Sequence, residues 1–352
     1  MAYILNEKIR ELKPYEPIKG NYPIRLDANE SFILPPHNII LKVYNAVEKI
    51  KYNRYPDPLA EELCNAFADF YKVDAANVTA GNGSDELISI ISNAFLMKGE
   101  KMMTLSPDFS MYKFYSGLNE TKCIEYQKKS DFTIDVDELI TLINDYNVKM
   151  LIFSNPCNPT SIGLKRSDVR HLVRSVNSLV VLDEAYMDFW NQSLLGEVDD
   201  YDNLIILRTC SKAFGMAGIR LGFAAANKVL TNSLKAVKSP YNVNLLTQKI
   251  GSIVINEHEW IKSCIDEIIK SKNELYHMLK RIEKIYPEKL TVYDSVTNFI
   301  LLKTPKTDLV FNLLLNNGIA IRYLGDFLRV SAGTTEENIE FANTFESIIC
   351  NL

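Results

Sequence analysis

The chain has 352 residues, of which 47% are hydrophobic and 24% charged, with a net charge of −5 and four histidines. That length suggests about two domains and enough core to enclose an internal site. The acidic balance and the lack of any Lys/Arg-rich run argue against nucleic acid and anionic membrane as partners.

Cys64, Cys123, Cys157, Cys210, Cys264 and Cys350 form no C-x-x-C pair, and no two histidines have metal-ligand spacing. They read as reduced thiols of a cytoplasmic protein, and no metal is expected. The first residues are charged and lack an apolar signal core, and no apolar run approaches the ~20 residues of a membrane span.

Taken in chain order, residues 1–30 read as an arm rich in Pro, Lys and Glu. A helix is predicted over Ser84–Met97, with Leu87, Ile91, Ala94 and Phe95 on one face. Short apolar runs follow at Met102–Leu105, Met150–Phe153, Leu179–Leu182, Leu204–Leu207 and Leu221–Ala225. Most are apolar on both faces, which is the pattern of strands buried between helices. Helical or loop stretches such as Ser167–Val176 separate them, so the fold class is α/β with a mostly parallel sheet flanked by helices. From about Lys228 the pattern changes. Trp260–Ile285 is a long amphipathic helical stretch, followed by a strand at Asn298–Leu302, a helix near Asp308–Asn316, the turn Asn317-Gly318 and a strand at Ile319–Arg322. This predicts three parts: an arm over 1–30 that packs with the small domain, a large domain over 31–235 and a smaller α+β domain over 236–352. No disordered linker separates the two domains, so they are expected to share a long helix.

In open α/β sheets, ligands bind beyond the carboxyl ends of the strands, so the residues after each apolar run matter most. After Val78-Thr79-Ala80 comes Gly81-Asn82-Gly83-Ser84-Asp85-Glu86. The glycines allow a tight turn, Ser84 can cap the helix, and the free N–H groups at its start suit a phosphate as well as they suit a plain capped loop. Asp85 is then expected to point away from the anion. After Met150–Phe153 comes Ser154-Asn155-Pro156-Cys157-Asn158-Pro159-Thr160, an extended turning loop in which Asn158 can serve a ligand oxygen or close an Asx-turn. Asp183 emerges from the third run, ahead of Glu184-Ala185-Tyr186, and a buried acid there needs an ion pair or a ligand. Arg208-Thr209-Cys210-Ser211-Lys212 follows the fourth run, with Arg220 eight positions on. Taken singly, Lys212 reads as a solvated lysine and Arg220 as half of a buried Arg–Asp pair. Taken together, these residues supply what pyridoxal phosphate requires: an anion cradle, an acid for its ring nitrogen, donors for its phenolic oxygen and a lysine for its aldehyde.

On Asn158-Pro159-Thr160, Asp183-Glu184-Ala185-Tyr186, Thr209-x-Ser211-Lys212 and Arg220, which stand in family order, nearly the whole chain resembles the fold-type I aminotransferases of class I/II. Within that group it is most similar to the histidinol-phosphate aminotransferases. Leu12-Lys13-Pro14-Tyr15, Leu26-Asp27-Ala28-Asn29-Glu30, Asn53-Arg54-Tyr55-Pro56-Asp57 and Leu328-Arg329-Val330-Ser331-Ala332-Gly333-Thr334 carry that likeness.

The resemblance implies that Lys212 bonds covalently to pyridoxal 5'-phosphate, that Asp183 pairs with the ring nitrogen, and that Asn158 and Tyr186 reach the phenolic oxygen. It implies that Ser84 and Asp85, through their N–H groups, hold the phosphate with Thr209, Ser211 and Arg220. Tyr55 would reach the same phosphate from the other subunit of a homodimer. Phe109 stands where the family has a stacking tyrosine and lacks its hydroxyl. Arg329 would grip the substrate anion, with Tyr15, Asn29 and Arg322 nearby; Arg322 could equally form a salt bridge within the small domain. Ser161 stands where the family has the glycine of Asn-Pro-Thr-Gly, and a glycine follows only at Gly163.

The implied reaction is transamination of histidinol phosphate with 2-oxoglutarate or glutamate, in histidine biosynthesis. A threonine-phosphate decarboxylase or an aromatic amino acid aminotransferase shares much of this pattern. A non-catalytic regulator on the same scaffold would carry an added DNA-binding domain, for which residues 1–30 are too short, and would have no need of Lys212.

Overall fold

The strand runs that read as apolar on both faces form one seven-stranded sheet in the computed structural model, which describes residues 3–14 and 16–352. After a short β1 (Ile24–Arg25), its strands are β2 (Val78–Gly81), β3 (Lys101–Ser106), β4 (Lys122–Gln127), β5 (Met150–Ser154), β6 (Leu179–Asp183), β7 (Leu204–Thr209) and β8 (Gly222–Ala226). Their spatial order is β2-β8-β7-β6-β5-β3-β4. Only β8 runs against its neighbours, pairing antiparallel with β2 and β7 while the remaining pairs are parallel.

Alternation explains the uniform apolarity. Met103, Leu105, Leu151, Phe153, Val180, Leu182 and Ile206 enter the cluster on one face. Met102, Met150, Ile152, Val181, Ile205 and Leu207 enter the cluster on the other. With helices on both sides, every residue of such a strand leaves water, and no polar face remains.

A second sheet, ordered β12-β13-β10-β9, is built from β9 (Thr291–Val292), β10 (Phe299–Lys303), β12 (Arg322–Tyr323) and β13 (Phe327–Ser331), while β11 (Ile319–Ala320) lies outside it. The single strand expected over Ile319–Arg322 is therefore two. β11 pairs parallel with β1, whereas β12 pairs antiparallel with β13. The arm thus joins the small sheet's core through Ile24 and Leu26. Its earlier part reaches the other way, where Lys8 Nζ donates to the Leu118 carbonyl at 3.0 Å.

The helix His258–Ile285 serves both cores. Ile261 and Ile268 pack with the large sheet. Leu275, Leu279 and Ile282 pack with the small one. Val243, Val254 and Ile255 also sit in the first cluster. The apolar division between the two clusters therefore falls inside this helix, close to residue 270, and the helix preceding it is apolar toward the large body. Among the described residues, no helix is long and apolar enough to cross a membrane.

Candidate active site

The strand ends converge on Lys212. It follows β7, is half-buried, and its Nζ donates to the Ala28 carbonyl at 2.9 Å and lies 5.9 Å from the Tyr186 ring centroid. Loss of hydration pushes its ammonium down to about 8; repulsion from Arg329 adds to this, and Glu30 and Asp85 oppose it. It is not the solvated lysine that a strand end alone suggests. A substantial share of this amine is neutral near physiological pH, as a nucleophile requires.

Asp183 closes β6 with only 4% of its surface exposed. Its Oδ2 accepts from the Tyr112 hydroxyl at 2.8 Å and its Oδ1 from the Ala185 N–H at 3.1 Å. Among the described residues it has no ion pair, so the salt-bridge reading of this acid is not what the structure contains. Burial pushes its carboxyl up to about 7. A cationic partner would hold it ionised. Tyr112 carries no signal in the sequence, because a tyrosine in the first turn of the helix Met111–Leu118 reads as an ordinary core residue; it is fully buried.

The Gly81–Asp85 segment turns tightly into a helix, with one correction to its cap. The helix spans Gly83–Phe95 and its cap is Asn82, so Ser84 lies inside the first turn and caps nothing. The Asn82 N–H instead donates to Glu86 Oε2 at 2.7 Å. Asp85 Oδ2 lies 3.3 Å from Arg220 Nη2, an ion pair between the helix's first turn and the residue two before β8. Arg220 is thus an exposed partner of Asp85, not half of a buried pair.

Two glycines are required here. Gly83 has φ +77°, and a Cβ on it would lie 2.8 Å from Arg220 Nη2. A Cβ on Gly222 would lie 2.5 Å from the Ser84 nitrogen. Thr209 and Ser211 are buried beside the cradle; the Ser211 N–H donates to Thr209 Oγ1 at 3.2 Å, and Arg220 Nη1 donates to Ser211 Oγ at 3.4 Å.

The loop after β5 supplies Asn158. Its Oδ1 accepts from Arg329 Nη1, so its side chain is committed across the site and not to an Asx-turn. Arg329, on β13 and 7% exposed, also donates from Nη2 to the Asp27 carbonyl at 2.8 Å and stacks over Phe299. Asn29 has φ +53° and is held by Ser331 and Asn298; its Nδ2 donates to the Tyr186 hydroxyl at 2.9 Å. Phe109 packs edge-on against Tyr112 at 5.6 Å. The Ser161 departure has a structural account. Its φ is +62°, and its hydroxyl donates to the Asp294 carbonyl at 2.8 Å, tying the loop to the small domain.

Three predicted residues remain. Tyr55 is 80% exposed and stacked on Tyr241. Arg322 lies on β12, in register with Arg329. Tyr15 lies outside the described residues.

The donor set suits pyridoxal phosphate: a cradle that a single Cβ would fill, a buried acid without a cation, and an amine of depressed pKa. Residues 22–344 match the family model described as aminotransferase class I and II. A histidinol-phosphate aminotransferase from Clostridium novyi (strain NT) is 40% identical over 345 residues, spanning 97% of this chain and 96% of that protein. One from Clostridium kluyveri is 39% identical over 351 residues, spanning 98% and 99%. Among solved structures, the histidinol-phosphate aminotransferase of Sinorhizobium meliloti in complex with pyridoxal-5'-phosphate superposes with a TM-score of 0.87 at 20% identity, spanning 99% of this chain and 98% of that one.

Proposed function

Because this chain belongs to the class I and II aminotransferases, and is a pyridoxal-phosphate-dependent transferase, we propose that it moves an amino group between histidinol phosphate and 2-oxoglutarate in histidine biosynthesis. The 40% identity to the Clostridium novyi enzyme, held over 97% of this chain, carries the choice of substrate. Bound pyridoxal phosphate supplies an electron-withdrawing ring and an aldehyde that bonds to amines.

The chain's own residues do the rest. Lys212 would hold the cofactor through its neutral amine and would carry the proton to and from the substrate carbon. Asp183, as a carboxylate, would hold the proton on the ring nitrogen. Asn158 has its Oδ1 engaged by Arg329, which leaves its Nδ2 to donate to the phenolic oxygen beside the Tyr186 hydroxyl. The N–H groups of Ser84 and Asp85, with Thr209, Ser211 and Arg220, hold the phosphate. Phe109 covers the ring.

Arg329 binds the substrate anion. Glutamate presents a carboxylate where histidinol phosphate presents a phosphate ester, and a guanidinium fork accepts both. Arg322, Asn29 and Tyr15 complete that side of the pocket.

The working unit in this reading is a homodimer with Tyr55 contributed across the interface. Leu34, Ile40, Tyr44, Tyr52 and Tyr55 are all exposed in one segment, where a subunit interface would cover them. A cytoplasmic location agrees with six free cysteines.

A half-reaction screen tests the substrate. Histidinol phosphate should bleach the visible band of the cofactor-loaded enzyme, and 2-oxoglutarate should restore it. Carbon dioxide release from threonine phosphate, with no response to histidinol phosphate, would overturn the reading in favour of a decarboxylase.

A further inference from the structure

Behind the site lies a buried ion pair that the reaction does not itself use. The Lys128 and Asp108 side chains are each 1% exposed, with Nζ 3.9 Å from Oδ2. Lys128 Nζ also donates to the Pro107 carbonyl at 2.8 Å and to Cys157 Sγ at 2.9 Å. Asp108 Oδ1 accepts from the Phe109 N–H at 2.7 Å and from the Ser154 hydroxyl, and Oδ2 accepts from the Ser154 N–H at 3.2 Å. Ser154 Oγ in turn accepts from the Asn158 N–H at 3.1 Å.

We infer that Lys128 and Asp108 are positioning residues: one carboxylate, locked by one ammonium, sets both the aromatic ring over the cofactor and the loop that carries Asn158. The inference rests on the proposed roles of Phe109 and Asn158. A buried ion pair is a poor stabiliser, since its desolvation offsets most of its attraction. What it offers is geometry, because Asp108, in the loop after β3, accepts from its neighbour Phe109 through Oδ1 and from Ser154 at the end of β5 through both oxygens. The two loops leave adjacent strands, β3 and β5, and nothing else of comparable charge ties them together at this point.

The pair also keeps the site's charge in balance. Desolvation raises the Asp108 carboxyl, and Lys128 opposes that rise. Burial alone would depress Lys128, yet Cys157 and Asp108 leave it raised. The groups facing Asp108 are Lys128, Cys157, Tyr112 and Asp183, and the negative charge of Asp108 adds to the rise at both Tyr112 and Asp183. Unmasking either partner therefore changes the field on Asp183, in opposite senses.

The test uses full-length K128M, D108N and the double variant, each loaded with pyridoxal phosphate. The pH midpoint of the cofactor's visible band and kcat are read for each, with thermal unfolding of the cofactor-free form as the structural control. The midpoint should move up in K128M and down in D108N, by about half a pH unit or more. It should return to the wild-type value in the double variant. In that variant kcat should stay about tenfold to 100-fold low, since the carboxylate's hold on both loops is gone. If K128M does not fold, D108N and the double variant still give the downward shift and its reversal. Midpoints that do not move, or that move the same way in both single variants, would overturn the inference. A wild type that binds no cofactor would instead overturn the reading of the site itself.

Discussion

The Tyr112 hydroxyl donates a 2.8 Å hydrogen bond to Asp183 Oδ2, deep under the sheet's carboxyl edge. This bond holds down the pKa of a carboxyl that burial nevertheless leaves up at about 7. Tyr112→Phe removes the donor and keeps the ring. The Asp183 carboxyl should then rise further, and the enzyme should bind pyridoxal phosphate about tenfold more weakly at neutral pH, the worth of one hydrogen bond to a charged group. Fluorescence titration of the cofactor measures this, and an unchanged affinity would separate Asp183 from the ring nitrogen.

Lys212→Ala should leave a folded protein that never develops the cofactor's visible band. Turnover should fall by about a thousandfold or more, since both the covalent partner and the proton carrier are lost. Absorbance after incubation with the cofactor, and a product assay, decide it.

The depressed Lys212 pKa gives a pH dependence with a definite sign. The amine is protonated and inert below about 8 and free above it. The rate at which cofactor-free enzyme captures added pyridoxal phosphate should therefore climb from pH 6.5 and level off above about pH 8.5, one half-unit past that midpoint. Stopped-flow mixing reads it. A climb continuing toward pH 10 would mean that the lysine is solvated.

Arg329→Ala should weaken amino donor and keto acid acceptor together, each by about tenfold to 100-fold, as loss of a charged hydrogen-bonding fork predicts. Separate KM measurements for the two half-reactions check it. An effect confined to one substrate would contradict a shared anion site.

Gly222→Ala should loosen the cradle. The new Cβ would sit 2.5 Å from the Ser84 nitrogen and 2.6 Å from the Gly83 carbonyl carbon, both backbone atoms that cannot swing aside. A cost of about 1–3 kcal/mol in stability is expected, with a matching loss of cofactor affinity. Calorimetry with and without cofactor distinguishes the two contributions.

The residue order told a good deal before any coordinates. Apolar runs without alternation already implied strands covered on both faces. The groups at their ends, Gly81–Ser84, Asn158, Asp183, Lys212 and Arg220, already implied one site, because a parallel sheet delivers all of its carboxyl ends to a single edge. Periodicity and strand-end chemistry are local properties, and sequence alone determines them.

Other features depended on which side chains meet. The Ile319–Arg322 run split between two sheets because β1 claimed its first half and β13 its second. Asp85 turned toward Arg220, 135 positions away. Tyr112 found Asp183 across 71 positions, and Asn158 found Arg329 across 171. Nothing local marks Lys128 and Asp108 in the sequence, and folding buries them together. These partnerships join residues far apart in the chain, and burial decides their energies. Only the tertiary structure, which sets both distance and dielectric, could determine them.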